Sequence, residues 1–234
     1  MELRIKDSEL RIMKKILFIN SDLPAAIAEK LSDKYDIRKL PPCDDLAKPV
    51  SKHADMLTGV LDGRLIVTRS YYEKNAAIFA DCDPLITDER HGREYPADIL
   101  LNFIDTKNAV IGYGKALTRL INKPVINVKQ GYARCSTLIY RDFAVSADAG
   151  ILSALSSLGY DTIQISPGHI DLPGYDFGFI GGASFADANT VYFFGSLSTH
   201  PDGKKIRAFI EKRGVNMIEL SDDPLTDYGG AVIY

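Results

Sequence analysis

The segment His53-Ala54-Asp55-Met56-Leu57-Thr58-Gly59-Val60-Leu61-Asp62-Gly63-Arg64-Leu65-Ile66-Val67-Thr68 places two short apolar runs on either side of Asp62-Gly63. Asp-Gly between such runs is a strong β-hairpin signal, because a two-residue turn of the favoured hand needs positive φ at both central positions. The reading is a strand over 55–61 paired with one over 64–68, followed by a helix over 70–79. The same motif recurs downstream. Strands are expected over 99–104 and 109–112, with a helix over 115–121 and a strand over 125–128. The next unit takes 136–140, 144–146, helix 149–158 and strand 162–165, with Gly159 as the helix stop. The last takes 177–181, 191–195, helix 203–212 and strand 216–220. What remains is divided between the two ends: strand 15–20, helix 24–34 and strand 37–40 at the start, and strand 228–234 at the finish.

The positions opening each pair are Asp55, Asp98, Cys135, Asp176 and Asp227, roughly 40 residues apart, a period that points to a ring or a solenoid. An open solenoid needs a polar cap at each end. A ring needs only that the two termini together complete the fifth unit, so β-strand 15–20 is expected to pair in one sheet with 228–234. The expected fold is therefore α/β, a five-fold pseudosymmetric propeller of ββαβ units closed by the two termini. Residues 1–14 are read as an N-terminal extension and 15–234 as a single domain.

The chain has 234 residues, 46% hydrophobic and 25% charged, with a net charge of −3. That is a globular composition with ample material for a core and no excess positive field to hold a phosphate backbone, so nucleic acid is not an expected partner. The longest apolar runs, 16–19 and 191–194, are far too short to cross a bilayer, so no membrane partner is expected. Cys43, Cys82 and Cys135 are odd in number and widely spaced, without a Cys-x-x-Cys pair, which suits a reducing cytoplasm and argues against a metal motif. Ile111-Gly112-Tyr113-Gly114 has Leu117 where a dinucleotide fingerprint needs its third glycine, so no cofactor is expected.

Five such units in a closed ring resemble the pentein fold of the guanidine-modifying enzymes. These are the arginine and agmatine deiminases, dimethylargininases and amidinotransferases, with a non-catalytic branch of ribosome anti-association factors. The pattern is also similar to a bacterial family of unknown function with this fold. His53-Ala54-Asp55 resembles the deiminase His-x-Asp, whose His is the acid/base and whose Asp helps hold the guanidinium. Gly131-Tyr132-Ala133-Arg134-Cys135 resembles their Gly-Gly-x-x-Cys, whose Cys is the nucleophile. Leu225-Thr226-Asp227-Tyr228-Gly229-Gly230 loosely resembles their Glu-Gly-Gly-Asp, whose Glu grips the guanidinium. The order here is His, Cys, acid, against acid, His, Cys in the deiminases. These are the same cyclic order, which implies a circularly permuted pentein. Tyr132 replaces a glycine, the acid is Asp rather than Glu, and the C-terminal strand has no Cys.

The resemblance implies a hydrolase or amidinotransferase acting on a small guanidino or amidino ligand through a covalent Cys135 intermediate, with His53 and Asp227 as partners. The alternative is a catalytically silent pentein that binds a ligand or a macromolecule. A thiolate must attack the central carbon of an amidinium, an imidazole must move protons, and carboxylates must hold a planar cationic fork. Arg134 beside Cys135 would favour the thiolate if both faced one way, but neighbours on an extended chain point to opposite sides. Cys135 equally suits a buried, inert thiol, and His53 a satisfied structural histidine. In an extended His-x-Asp the two side chains share a face. Asp55, Asp98 and Asp176, with Arg134, are the expected substrate-binding set. Acids recurring around a ring would line a cation pocket or cap turns. The glycines of 174–182 allow close approach to a ligand or form a bulged hairpin. His200 precedes a helix, with Asp202 as its expected N-cap.

Overall fold

The computed structural model describes residues 14–234; residues 1–13, and with them most of the expected extension, lie outside the described residues. The chain starts with β1 (Lys15–Asn20), α1 (Ala25–Ser32) and β2 (Tyr35–Leu40). Next come α2 (Ala54–Leu57), β3 (Thr58–Leu61), β4 (Arg64–Thr68), α3 (Arg69–Asn75) and β5 (Leu85–Thr87). They are followed by β6 (Ile104–Asp105), β7 (Val110–Gly112) and β8 (Val125–Asn127). The second half holds β9 (Thr137–Tyr140), β10 (Phe143–Ser146), α4 (Ala149–Ser157) and β11 (Asp161–Gln164). It ends with β12 (Ser184–Asp187), β13 (Thr190–Phe193), α5 (Gly203–Glu211), β14 (Asn216–Glu219) and β15 (Ala231–Ile233).

These strands form five three-stranded sheets of one design. In each, a middle strand pairs antiparallel with one neighbour and parallel with the other. The fifth sheet has the order β15-β1-β2, so both ends of the chain supply it, with Leu17 opposite Ile233 and Ile19 opposite Ala231. The chain is thus a five-bladed α/β propeller closed by its termini. The apolar periodicity explains the layering. Middle strands are continuous apolar runs, as in Ile16-Leu17-Phe18-Ile19 and Val191-Tyr192-Phe193, and are buried on both faces. Third strands such as Asn216-Met217-Ile218-Glu219 alternate and stay half-exposed at the blade rim. The first strand β12 lies against both β9 and β15, and residues of all five first strands line a central channel.

Four local expectations are corrected. Residues 115–121 form turns rather than a helix. Seven residues are too few to nucleate one unaided, and the Glu89 carboxylate takes the Arg119 N–H and the Thr118 hydroxyl at 2.8 and 2.7 Å. Residues 55–57 belong to the helical turn α2, because the His53 carbonyl accepts from both Met56 and Leu57 N–H. Of 99–104 only Ile104 is in a strand, the first residue of β6, and Asp98 sits in a 3-10 turn over Ala97–Ile99. Residues 177–181 are not the partner of β13. The hairpin is β12–β13, turning at Ala188 and Asn189, with φ of 44° and 67°. No described helix is long and apolar enough to cross a membrane.

Candidate functional site

Three turns from different blades meet at one end of the channel. His53 precedes α2 and Asp55 lies within it. Cys135 sits on the turn leading into β9, where Ser136 N–H donates to the Tyr132 carbonyl at 2.8 Å. Asp227 precedes β15, its N–H held by the Asp171 carbonyl at 2.8 Å. One nitrogen of His53, a carboxylate oxygen of Asp55 and the Cys135 sulfur all lie within 4.8 Å of one another. Asp227 completes the group. Its carboxylate oxygens stand 3.6 and 3.9 Å from the Cys135 sulfur, and Oδ1 stands 3.7 Å from His53 Nδ1. All four side chains are buried, and His53, Cys135 and Asp227, with Tyr132 and Phe179, help to line a cavity of about 240 Å³, while Asp55 lies behind them and borders a different cavity. The His53–Asp55 proximity arises on a helical turn, not on an extended segment.

Two devices hold this geometry. Asn102, fully buried, donates to the Asp55 carbonyl at 3.1 Å and accepts from the N–H groups of Arg134 and Cys135 at 2.8 and 3.3 Å. It ties the His-x-Asp turn to the cysteine turn. Asp227 is gripped by backbone, accepting from Phe179 N–H at 2.8 Å and Gly229 N–H at 2.9 Å. That grip explains the glycine-rich 178–182 segment. A Cβ at Gly182 would collide with the Asp227 carboxylate, and one at Gly229, whose φ is +78°, with His53. The close approach is to the site's own side chains rather than to a bulged hairpin.

The electrostatics follow from burial. Burial, reinforced by Asp227 and Asp55, pushes the Cys135 thiol well above its ordinary value. Burial lowers His53, more than the Asp227 charge raises it. Burial and then Asp227 push the Asp55 carboxyl up to about 8. Neither Asp55 oxygen nor His53 Nδ1 has a hydrogen-bond partner among the described residues. At neutral pH the resting site is therefore a neutral thiol, a neutral imidazole, a neutral Asp55 and several unfilled acceptors. A planar cation with N–H donors satisfies such acceptors. His53, Asp55 and Cys135 also form a nitrogen, oxygen and sulfur donor set that a divalent metal such as zinc accepts.

The other expected residues fall at different depths. Asp98 is buried behind Tyr132, whose hydroxyl donates to it at 2.5 Å, so it touches the cavity wall and not the thiol. Asp176 is exposed at the cavity rim. Arg134 does not line this cavity but a separate one along the first strands, which Asp55 also borders, and its charge acts on Asp55. Cys43 is buried in a peripheral core cluster and Cys82 is partly buried beside it. Burial raises both thiols, with Asp81 and Asp36 adding to the effect at Cys82. Sequence reading missed Asn102. Its signal is a lone amide within the apolar 99–104 run, where a buried polar group must have partners.

The family profile described as "Family of unknown function (DUF6873)" matches residues 18–232. The chain belongs to this family. Among solved structures, DDAH from Pseudomonas aeruginosa complexed with citrulline aligns at a TM-score of 0.54 and 11% identity. The match covers 95% of this chain and 100% of that one. A dimethylarginine dimethylaminohydrolase adduct with 4-chloro-2-hydroxymethylpyridine aligns at 0.56 and 12% identity, with the same coverage. An adduct with S-methyl-L-thiocitrulline aligns at 0.58 and 11%, again over 95% and 100%. At these identities the likeness is one of fold alone: the DUF6873 chain has the pentein-like propeller fold of these structures. No curated protein matches the sequence.

Proposed function

We propose that this DUF6873 protein is a cysteine-dependent enzyme acting on the central carbon of a guanidine or amidine. The observation that carries the reading is the convergence of His53, Asp55 and Cys135 within 4.8 Å, beside the backbone-gripped Asp227, with His53, Cys135 and Asp227 opening into one cavity. Asp227 and Asp55 accept the N–H groups of the cationic fork. The incoming positive charge offsets the burial and the Asp227 carboxylate that hold Cys135 as a thiol, so the thiol ionises when substrate is bound, passing its proton to His53. The thiolate forms a C–S bond to the amidinium carbon. The C–N bond to the leaving amine then breaks as His53 returns the proton to that nitrogen. Water attacks the resulting S-alkylthiouronium carbon with His53 taking its proton. The C–S bond breaks and Cys135 leaves, giving the urea or amide. An amine in place of water makes the same sequence an amidinotransfer.

The test is competitive labelling read by mass spectrometry on all three cysteines. Cationic chloroacetamidine should label Cys135 faster than neutral iodoacetamide does. Cys43 and Cys82, remote from the carboxylates of the site, should not favour the cation. His53→Ala should slow turnover of an accepted guanidine by about 10²–10⁴-fold, the usual contribution of a positioned acid/base. Equal, sluggish labelling of Cys135 by both reagents would instead support a catalytically silent binding protein.

A further inference from the structure

Amidine chemistry defines only the reacting end of the ligand, and the cavity walls describe the rest. Above the thiol the walls are aromatic. Tyr132 stacks on Phe179 with centroids 6.2 Å apart and planes 29° apart, and Phe177 meets Phe179 edge-on at 6.2 Å. Tyr175 and Phe177 are 47% and 42% exposed at the mouth, so their rings are open to a ligand. Phe177 and Phe179 also wall a second cavity of about 250 Å³, otherwise largely apolar, with Ile165, Ile170 and Ile180 in its lining. Ser136 reaches that cavity, and its buried hydroxyl has no partner among the described residues.

Charge decides what fits. Among the described residues neither cavity is lined by Lys or Arg. The charged groups present are carboxylates, Asp176 and Asp227 in the first cavity and Asp148 in the second. Arg134 lines neither of these cavities but a separate one along the first strands. An amino-acid guanidine brings a carboxylate of its own. Here that group would be stripped of water and set against like charges with no cation to pair with it. Aromatic faces, in contrast, reward a flat apolar body and a delocalised cation.

We propose that the ligand of this site is a guanidine or amidine without a carboxylate, whose uncharged body, best an aromatic one, lies against Phe177 and Phe179 with its far end directed to the Ser136 cavity. This rests on the amidine reading above. A matched pair isolates the charge: benzylguanidine against para-(guanidinomethyl)benzoate, with arginine as a third ligand. Each is tested for protection of Cys135 from chloroacetamidine in the full-length protein. Benzylguanidine should protect at concentrations about tenfold or more below either carboxylate, a gap of at least ~1.4 kcal/mol. Phe177→Arg, a change at an exposed rim position, should narrow the gap by pairing the carboxylate. Comparable protection by all three ligands overturns the inference while leaving the amidine reading intact, and so does an unchanged gap in Phe177→Arg. Protection by none of them, with Cys135 no more reactive than Cys43, overturns both.

Discussion

Asp55 is the side chain whose surroundings are least ordinary. Both its oxygens are buried without hydrogen-bond partners among the described residues, and its carboxyl is pushed from 3.8 up to about 8, first by burial and then by Asp227. The unfolded chain ionises this group near its ordinary value, whereas the folded empty protein keeps the proton until about pH 8. Between those values the folded state binds more protons than the unfolded one. Stability therefore falls as pH rises through the window and levels off above it. Asp55→Asn removes the titration while keeping the shape. Its melting temperature relative to the unsubstituted protein should rise steadily between pH 5 and pH 8. Thermal unfolding at those two pH values is the check, and a constant difference would mean that Asp55 is ionised throughout. Under the proposed function a bound cation would lower this cost by favouring the ionised carboxyl, which would link Asp55 to ligand recognition.

Among the elements, the site depends on turns rather than on strands or helices. The His-x-Asp turn and the cysteine turn come from different blades and are joined through Asn102, which binds backbone groups of both. Asn102→Ala leaves one carbonyl and two N–H groups without that partner in a buried place. The expected loss is about 2–3 kcal/mol of stability, together with slower cationic labelling of Cys135. Denaturant unfolding with the labelling assay checks both; a loss of stability with labelling unchanged would leave Asn102 a purely structural residue. The legibility of the sequence divides along the same line. Middle strands and hairpin turns could be read because continuous apolar runs and Asp62-Gly63 report burial and positive φ directly. Residues 55–57, 99–103 and 177–181 read as strand but lie outside the strands. Their conformation is set by long-range partners, namely Gly229 for Asp55 N–H and Asp227 for Phe179 N–H, and no local period reports those. The motif residues His53, Cys135 and Asp227 could be picked out by their types and unit spacing. Arg134, chosen for being adjacent to Cys135, lines the separate cavity because neighbours on the chain diverge.

On the scale of the whole molecule, the fifth blade is assembled like the others but from both chain ends. Ile16 N–H donates to the Tyr234 carbonyl and Tyr234 N–H to the Ile16 carbonyl, each at 2.9 Å, so the C-terminus lies beside the start of β1. In the other blades the first and middle strands are joined by a hairpin; in this one that connection is missing, and the pairing survives without it. The third blade can therefore exchange roles with the fifth. Its hairpin turns at Arg141 and Asp142, both exposed, with Arg141 at a φ of 52°. Cutting there yields a chain that opens with a middle strand, helix and third strand (β10, α4, β11) and closes with a first strand (β9), which is the order in which β1, α1, β2 and β15 already occur. Joining Tyr234 to Lys14 with a short flexible linker, with residues 1–13 removed, restores the missing hairpin in the fifth blade. The cut removes no blade contact, and exposed turns are where permutation is best tolerated. The permuted protein should unfold in one cooperative transition within a few degrees of the parent, on the order of 1 kcal/mol of change. It should also retain the preference of Cys135 for chloroacetamidine. A permuted chain with native helix content but no cooperative transition would show that the covalent β9–β10 turn is needed to close the ring, and that the five blades are not equivalent in holding it shut.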